Sequence, residues 1–452
     1  MLRRKIEEQI REFFTNESRA LLVTGARQVG KTYIIRKIAN ECFDNVVEIN
    51  FIEQPNAIAI FSEHNGAKDL LMRLTAFVRK PLIPGKTIIF FDEIQECKEL
   101  TTAIKFLVDE GSYRYVMSGS LLGVELQDVR SVPVGYIDEY EMFPLDLMEF
   151  FEALGISTEI VDSLRDCFNL RNEVDTFIHK RMLEAVRLYL IVGGMPAAVQ
   201  KYIDTNNLRD VLKIQRSIIR TYKRDITKRD PEHKLQIEEI YDLIPSELNV
   251  ANKRFILKEL HAKARYLRYE SGFMWLKDAG VVIPTYNIES PQMPLLLNKQ
   301  RNLFKLFLND VGLLASMYGT GLHQRLLTND IIVNWGAIHE NMVAQELLAH
   351  GYALEKDLFY FNSKKQGELD FVVEHNGHVL PIEVKSGKDY VRHNALSGVM
   401  KNQDYDIPQS VVFFQGNVSV KDSIIYLPIY MTMFLEHEHD EDFYYKFDPP
   451  KS

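Results

Sequence analysis

A glycine-rich loop that ends in lysine and threonine is the clearest chemical feature of this 452-residue sequence. Residues 25–32 read GARQVGKT, which fits the pattern G-x-x-x-x-G-K-[ST] at every position. Gly25 and Gly30 let the backbone curl so that its N–H groups point at phosphate oxygens, and the following helix N-terminus adds positive charge. Lys31 is expected to reach the β- and γ-phosphates, and Thr32 to offer its hydroxyl to Mg²⁺. The loop therefore predicts a site for ATP and Mg²⁺.

A pair of acidic residues and a serine are the predicted partners of this loop. Asp92 follows an apolar run, and we expect it to hold Mg²⁺ through the water molecules of the ion. Glu93 is placed to polarise an attacking water, which indicates a hydrolase rather than a protein that only binds nucleotide. Ser118 is predicted to contact the γ-phosphate or the water. The alternatives are that the acidic pair only begins a helix and that Ser118 lies in a simple turn.

A second group of chemically able residues lies near the C-terminus. Asp370 and Glu383 fall on two predicted strands, and Lys385 follows Glu383 at the spacing that places both on one face. Two carboxylates this close repel each other unless a cation lies between them, so we expect a second divalent cation, Mg²⁺ or Mn²⁺, here. Lys385 is then placed to orient water or to stabilise a pentavalent phosphate.

Strands that alternate with helices must position the first group. Short apolar runs and helical patterns alternate over about residues 18–145, which predicts a doubly wound parallel α/β sheet. The predicted strands are 20–24, 46–51, 87–91, 113–117 and 134–140. The pattern is almost entirely helical from 145 to 225. Strands return near 357–361, 368–374, 379–385 and 410–414.

Composition excludes several classes of protein. Lys plus Arg total 54 and Asp plus Glu total 63, so the net charge of −9 argues against coating nucleic acid by bulk charge. The cysteines, Cys42, Cys97 and Cys167, are too few and too far apart for a disulfide scaffold, and they fit a reducing compartment. No run of about 18 apolar residues is present, so we expect no membrane partner and a cytoplasmic location.

Four segments together resemble a family of prokaryotic AAA-type P-loop ATPases. They are residues 25–32, 90–93, 118–120 and 143–150. Members of that family carry a C-terminal domain resembling PD-(D/E)xK nucleases, and the resemblance covers nearly the whole chain. It implies an α/β fold made of a P-loop parallel sheet with a helical lid, then a winged helix, then an α/β nuclease-like domain. The corresponding ranges are 1–155, 156–230, 231–295 and 296–452.

The resemblance also implies roles for individual residues. Gly194 and Pro196 match a Gly-x-Pro element that packs on the nucleotide base in related ATPases, with a plain helix break as the alternative. Glu340, on the predicted helix 336–350, matches the extra acidic metal ligand that nuclease-like folds often supply. Many members have an arginine where this chain has Tyr136, so an arginine finger is not carried over. Arg114 and Arg130 are only nearby candidates.

The middle of the chain carries a basic stretch. Basic and apolar residues interleave over 253–268, and residues 273–282 resemble the last helix and first wing strand of a winged helix. Winged helices bind DNA phosphates or serve as interaction modules, and a solvated basic face without DNA is the alternative.

The sequence as a whole predicts an ATP-binding and ATP-hydrolysing protein that couples its nucleotide state to the C-terminal module. One alternative is a nucleotide-gated regulator that binds DNA or protein through a catalytically inactive C-terminal domain. The other is an ATP-fuelled nuclease. ATP is the expected ligand, while DNA, RNA and a second copy of the chain stay open as partners.

Overall fold

The computed structural model describes most of the chain. The described residues are 2–119, 135–229, 233–250, 254–255, 266–319, 321, 325, 336–387, 393–402 and 404–437. Most of the basic stretch 253–268 lies outside them, as do Ser120, Arg130 and residues 438–452.

The chain divides into two compact units that are interleaved in sequence. The first comprises Met1–Ser157, Arg187–Ile283 and Leu306–Asp330. The second comprises Thr158–Val186, Pro284–Lys305 and Ile331–Ser452. The four consecutive domain ranges therefore stay a prediction.

A parallel sheet forms the centre of the first unit. In chain order its elements are α1 (Ile6–Asn16), β1 (Ala20–Thr24), α2 (Lys31–Cys42), β2 (Asn45–Asn50), α3 (Ala67–Val78), β3 (Thr87–Asp92), α4 (Lys98–Glu110), β4 (Arg114–Ser118), β5 (Ile137–Glu141) and α5 (Leu147–Ala153). The strand order is β2-β3-β4-β1-β5, and all neighbours are parallel. Both β1 and β3 are buried along their whole length, as strands covered on two faces must be. The predicted parallel α/β sheet is confirmed.

Apolar side chains of α3 and α4 cover one face of this sheet. Leu70 and Leu74 of α3 and Leu107 of α4 belong to one buried cluster with Ile89 and Phe91 of β3. Burying each such side chain contributes roughly 1.5–3 kcal/mol, so this packing fixes the position of β3 and of the acidic residue at its end.

Helices follow the sheet, and a second sheet follows the helices. The helices are α6 (Thr158–Leu170), α7 (Thr176–Val192), α8 (Pro196–Thr205), α9 (Leu208–Arg229), α10 (Lys234–Asn249) and α11 (Tyr266–Asp278). The remaining elements are β6 (Val282–Ile288), β7 (Lys299–Leu308), α12 (Val311–Met317), α13 (Gly336–Ala349), β8 (Leu358–Ser363), β9 (Gly367–His375), β10 (His378–Val384), α14 (Asn394–Met400), β11 (Ser410–Phe414), β12 (Ser419–Lys421) and β13 (Ile424–Pro428).

The second sheet is mixed, with the order β12-β13-β11-β10-β9-β8-β6-β7. Strands β8, β9 and β10 are antiparallel neighbours, whereas β11 is parallel to both β10 and β13. A two-residue turn at 376–377 joins β9 to β10, and such a short turn fixes the register of the pair. In that register Phe371 lies opposite Ile382.

Among the residues that the structure describes, every helix is too short or too polar to cross a membrane.

Candidate functional site

The glycine-rich loop connects β1 to α2 at the carboxyl end of the parallel sheet. Because β4 lies between β1 and β3 in this parallel sheet, the residues that end β3 and β4, Asp92 and Ser118, lie at the same edge as the loop. The Thr32 hydroxyl donates to the two carboxylate oxygens of Asp92 at 3.1 and 3.2 Å, and the Ser118 hydroxyl also donates to this carboxylate. A hydroxyl beside a carboxylate is an oxygen set that suits Mg²⁺, so these residues fit the predicted ion.

Lys31 is buried and holds its ammonium inside the loop. Its Nζ donates to the backbone carbonyls of Gly25 and Ala26 at 2.8 and 2.9 Å. Burial lowers the pKa of Lys31 to about 8, and the nearby carboxylates of Glu93 and Asp92 only partly oppose this effect. The bonds of this ammonium go to neutral carbonyls, so an anionic phosphate is a better partner than those it contacts.

The second acidic residue of the pair has an unusual backbone. Glu93 has a φ of 58°, in the left-handed region that a residue with a side chain adopts only when its surroundings require it. The side-chain amide of Gln95 donates to the Glu93 carboxylate. Glu93 follows β3 at the edge of the sheet where the loop lies. The contact with Gln95 and the backbone conformation both restrict the direction of its carboxylate.

Sequence reasoning missed Asn50, which ends β2. Its Nδ2 donates to Asp92 at 2.9 Å, while its Oδ1 accepts from the backbone N–H groups of Ile52 and Glu53. Burial raises the pKa of Asp92, and the hydrogen bonds from Ser118 and Thr32 act in the opposite direction. The available signal was the position of Asn50 in the predicted strand 46–51, because the strands of a parallel sheet end at the same edge.

Residues 194–196, which lie in the predicted lid and are called the lid segment below, approach the loop closely. Gly194 accepts from the Leu145 N–H at 2.7 Å, and a Cβ on Gly194 would lie 2.0 Å from the Leu145 oxygen, so no side chain fits there. Pro196 begins α8, and its Cγ lies 3.8 Å from the position that a Cβ of Gly30 would take. The two predicted base-packing residues therefore differ, since Pro196 lies beside the loop while Gly194 packs on the Leu145 backbone.

An apolar cavity of about 470 Å³ lies beside the loop, within the first unit. It is lined by Leu2, Arg4, Val29, Gly30, Tyr33, Ile34, Met142, Pro196, Ala197 and Gln200. Ligand cavities are typically apolar clefts with a few polar groups, which describes this one. Its contact with Gly30 places it next to the predicted phosphate site.

Asp310 was also missed, and it holds the lid segment. Its Oδ2 accepts from the Gly194 N–H at 2.6 Å and its Oδ1 from the Leu313 N–H at 2.8 Å. The side chain is fully buried, and burial raises its pKa to about 6 although hydrogen bonds from Gly194, Leu313 and other backbone N–H groups oppose this. Asp310 caps the N-terminus of α12, and an aspartate before an apolar run was the local signal. No signal in the sequence indicated its contact with the distant Gly194.

Two arginines connect the loop to other parts of the first unit. Arg4 donates to the carbonyl oxygen of Val29 at 3.1 Å and to the Glu149 carboxylate at 3.0 Å. Arg27, within the loop, forms an ion pair of 2.8 Å with Asp225 of α9. The loop is thus tied to the N-terminus of the chain and to a helix of the lid region.

The arginine-finger candidates receive no support as partners of this loop. Arg114 begins β4, at the opposite end of that strand from Ser118. Arg130 lies outside the described residues.

The C-terminal residues also come together, on β9, β10 and α13. Asp370 Oδ2 accepts from the Val384 N–H at 2.9 Å, and Lys385 Nζ donates to the Glu383 carboxylate at 2.7 Å. Burial raises the pKa of Glu383 to about 8, and the neighbouring Asp370 carboxylate adds to this effect.

The cation among these carboxylates is a lysine that the sequence analysis did not single out. Lys305 of β7 is fully buried, with Nζ 2.7 Å from Glu368, 3.5 Å from Glu340 and 3.9 Å from Asp370. Burial acts to lower its pKa, but the three carboxylates outweigh this and raise it. The signal in the sequence was a single lysine within the apolar run 304–308.

The carboxylates therefore do not fit the predicted second metal. In the described part of the chain, no group of three His, Cys, Asp or Glu side chains has an arrangement that could hold a metal ion. We expected Glu340, Asp370 and Glu383 to need a divalent cation because carboxylates repel. The ammonium groups of Lys305 and Lys385 already supply positive charge to this cluster.

Comparisons with known proteins agree with the first site. Residues 17–151 match the family model of an AAA domain. Residues 183–324 and 335–431 match two domains of unknown function, DUF8612 and DUF4143. An uncharacterized protein of Methanocaldococcus jannaschii is 23% identical over 359 residues, which span 78% of this chain and 71% of that protein.

Solved structures resemble the chain loosely. A Walker-type ATPase of Pyrococcus abyssi has a TM-score of 0.45 and 16% identity, over 71% of this chain and 96% of that one. A RuvB protein of Thermotoga maritima has a TM-score of 0.30 and 16% identity, over 63% and 90%. These scores are too low to indicate a function. The AAA-domain match and the P-loop at the end of a parallel sheet show that the first unit contains a P-loop ATPase domain of the AAA type.

Proposed function

We propose that the chain binds ATP with Mg²⁺ at the loop 25–32 and hydrolyses it. The observation that carries this proposal is the convergence of Lys31, Thr32, Asp92 and Ser118 at one edge of the parallel sheet. Thr32 and Asp92 would hold the Mg²⁺, which when bound neutralises charge on the phosphate oxygens.

The chain's own groups have separate roles in this proposal. The backbone N–H groups at the start of α2 bind the phosphates, and Lys31 exchanges the Gly25 and Ala26 carbonyls for β- and γ-phosphate oxygens. Glu93 orients the attacking water and accepts its proton, while Ser118 contacts the γ-phosphate. The base occupies the apolar cavity against Pro196.

We also propose that nucleotide state changes the position of α9. The ion pair between Arg27 and Asp225 and the hydrogen bond of 3.2 Å from the Tyr222 hydroxyl to the Arg27 carbonyl connect the loop to this helix. A shift of the loop on hydrolysis would therefore act directly on α9, and this is the first step of the predicted coupling to the C-terminal module.

For the rest of the chain we propose a winged-helix-like segment followed by a nuclease-like domain. The succession of α10, α11 and β6 supports the first, and the acidic residues on adjacent strands after α13 support the second. The burial of Lys305 among these acidic residues favours the alternative function, in which this domain binds DNA or protein without cutting.

Replacing the water-activating carboxylate tests the ATPase proposal. We expect Glu93→Gln to keep ATP binding and to slow phosphate release by about 10²- to 10⁴-fold, the usual contribution of a positioned general base. Glu99→Gln, at an exposed position of α4, is the matched control. Phosphate release and binding of a fluorescent ATP analogue would be measured for both. Turnover in Glu93→Gln equal to that of the control would remove Glu93 from the mechanism.

A further inference from the structure

Lys305 is a buried charge that the proposed ATPase function does not use. It lies on β7 in the apolar run 304–308, and its side chain has no exposed surface. Removing a lone ammonium from water is unfavourable, so a lysine in this position requires compensating negative charge. The compensation comes from Glu340 on α13 and from Glu368 and Asp370 on β9.

The carboxylates around Lys305 have further partners within the chain. Asn362 donates to Glu368, and the Val384 backbone N–H donates to Asp370. Glu383 forms an ion pair with the ammonium of Lys385. The cluster is thus a set of carboxylates that share two ammonium groups and several neutral donors.

We propose that Lys305 takes the place of the divalent cation, so that this carboxylate cluster neither needs nor binds Mg²⁺ or Mn²⁺. A metal held here would have to lie about 2.0–2.6 Å from carboxylate oxygens. The ammonium of Lys305 is already within 3.9 Å of Glu340 and Asp370, so the two cations would repel each other at close range. This inference is independent of ATP binding at the loop.

Counting bound Mn²⁺ tests the proposal on the full chain without nucleotide. Electron paramagnetic resonance of free Mn²⁺ gives the number of ions bound by the parent and by the double variant Lys305→Met with Glu368→Gln. The double variant removes one charge of each sign, which keeps the balance of the cluster. The matched control is Lys299→Met with Glu355→Gln. These two residues form an ion pair, Lys299 also lies on β7, and neither residue belongs to the cluster.

We expect the parent and the control to bind the same number of ions and the double variant to bind one more. That extra ion should disappear when Glu383→Gln is added, and Mn²⁺ should raise the unfolding temperature of the double variant more than that of the parent or the control. An unchanged count in a folded double variant would overturn the proposal, because the ammonium would then not be what excludes the metal.

The parent chain gives a second test that does not depend on folding of the double variant. Glu383→Gln alone should leave the Mn²⁺ count of the parent unchanged. Loss of a bound ion in this single variant would show that the native cluster holds a metal, and the proposal would be wrong.

Discussion

A buried lysine lies close to acidic residues at each of the two candidate sites, Lys31 at the start of α2 and Lys305 on β7, but the two ammonium groups have different partners. Lys31 donates to the carbonyls of Gly25 and Ala26, and burial lowers its pKa. Lys305 is paired with carboxylates that raise its pKa despite complete burial. An ammonium held by neutral carbonyls remains available to an anionic ligand, whereas one enclosed by carboxylates is neutralised within the chain. The same residue type thus belongs to a candidate ligand site beside the first sheet and to an ionic cluster on the second sheet.

The carboxylates differ in the same way. Asp92 accepts hydrogen bonds from neutral groups, the hydroxyls of Thr32 and Ser118 and the amide of Asn50. Glu383, in contrast, accepts a hydrogen bond from the charged ammonium of Lys385. Neutral donors orient a carboxylate without cancelling its charge, so Asp92 can still attract Mg²⁺. The residue types and their spacing were therefore insufficient to distinguish a metal site from an ionic cluster.

The largest expected effect is on the free energy of unfolding, and it comes from removing Lys305 from the carboxylate cluster. We expect Lys305→Met to lower the free energy of unfolding by about 3–5 kcal/mol, because it leaves buried carboxylates without their countercharge. Lys299→Met, which removes a partly exposed ion pair on the same strand, should lower it by about 0–1 kcal/mol. Urea denaturation of both variants measures the difference. Equal losses would mean that Lys305 is not essential to the charge balance of the cluster.

The sequence predicted the fold of the first unit well because its signals are local. Strand β1 was predicted with its observed bounds, 20–24. A phosphate loop is defined by neighbours within a few residues, so its pattern can be read without knowing the fold. The contact of Asp310 with Gly194 joins residues far apart in sequence, and only the folded chain shows it.

The second site stays a prediction, and the sequence pattern was incomplete there for a related reason. The register of β9 and β10 does bring Asp370 close to Glu383, as the strand pattern suggested. The residue that changes their chemistry, Lys305, is on β7, which is not a neighbour of either strand in the sheet. Its single positive charge in an apolar run was visible, but its partners depended on a sheet order that the sequence pattern did not provide.

Replacing Lys31 should affect ligand binding rather than stability. We expect Lys31→Ala to weaken ATP binding by about 10- to 150-fold, which corresponds to about 1.5–3 kcal/mol for hydrogen bonds to a charged group. Lys37→Ala is the control, because Lys37 lies on the same helix and pairs with Glu7 instead. Titration with a fluorescent ATP analogue gives both affinities. A loss in Lys31→Ala no larger than in the control would contradict the phosphate role of Lys31.

Asp310 connects stability with binding, since it holds the lid segment beside the cavity. Asp310→Ala leaves the N–H groups of Gly194 and Leu313 without their acceptor and should lower the free energy of unfolding by about 1–3 kcal/mol. ATP affinity should fall as well, because the segment that carries Pro196 is no longer fixed. Asp310→Asn keeps an acceptor oxygen and should recover part of both losses. Unchanged ATP affinity in a folded Asp310→Ala variant would limit Asp310 to a structural role.

The smallest expected effect is the pH dependence of ATP affinity, and it follows from the lowered pKa of Lys31. In the free protein Lys31 has a pKa of about 8, and a bound phosphate must raise this value because it favours the charged form. Binding is therefore strongest below pH 8, where Lys31 is already charged, and it weakens as the pH rises through 8. Between pH 7 and pH 8.5 the charged fraction falls by about fourfold, and ATP affinity should fall by the same factor.

Lys31→Arg is the matched control, because a guanidinium stays charged over this range and any pH dependence that remains belongs to other groups, including ATP itself. If the parent and Lys31→Arg showed the same dependence, the Lys31 ammonium would be fully charged at both pH values, and the contrast with Lys305 would rest on their partners alone.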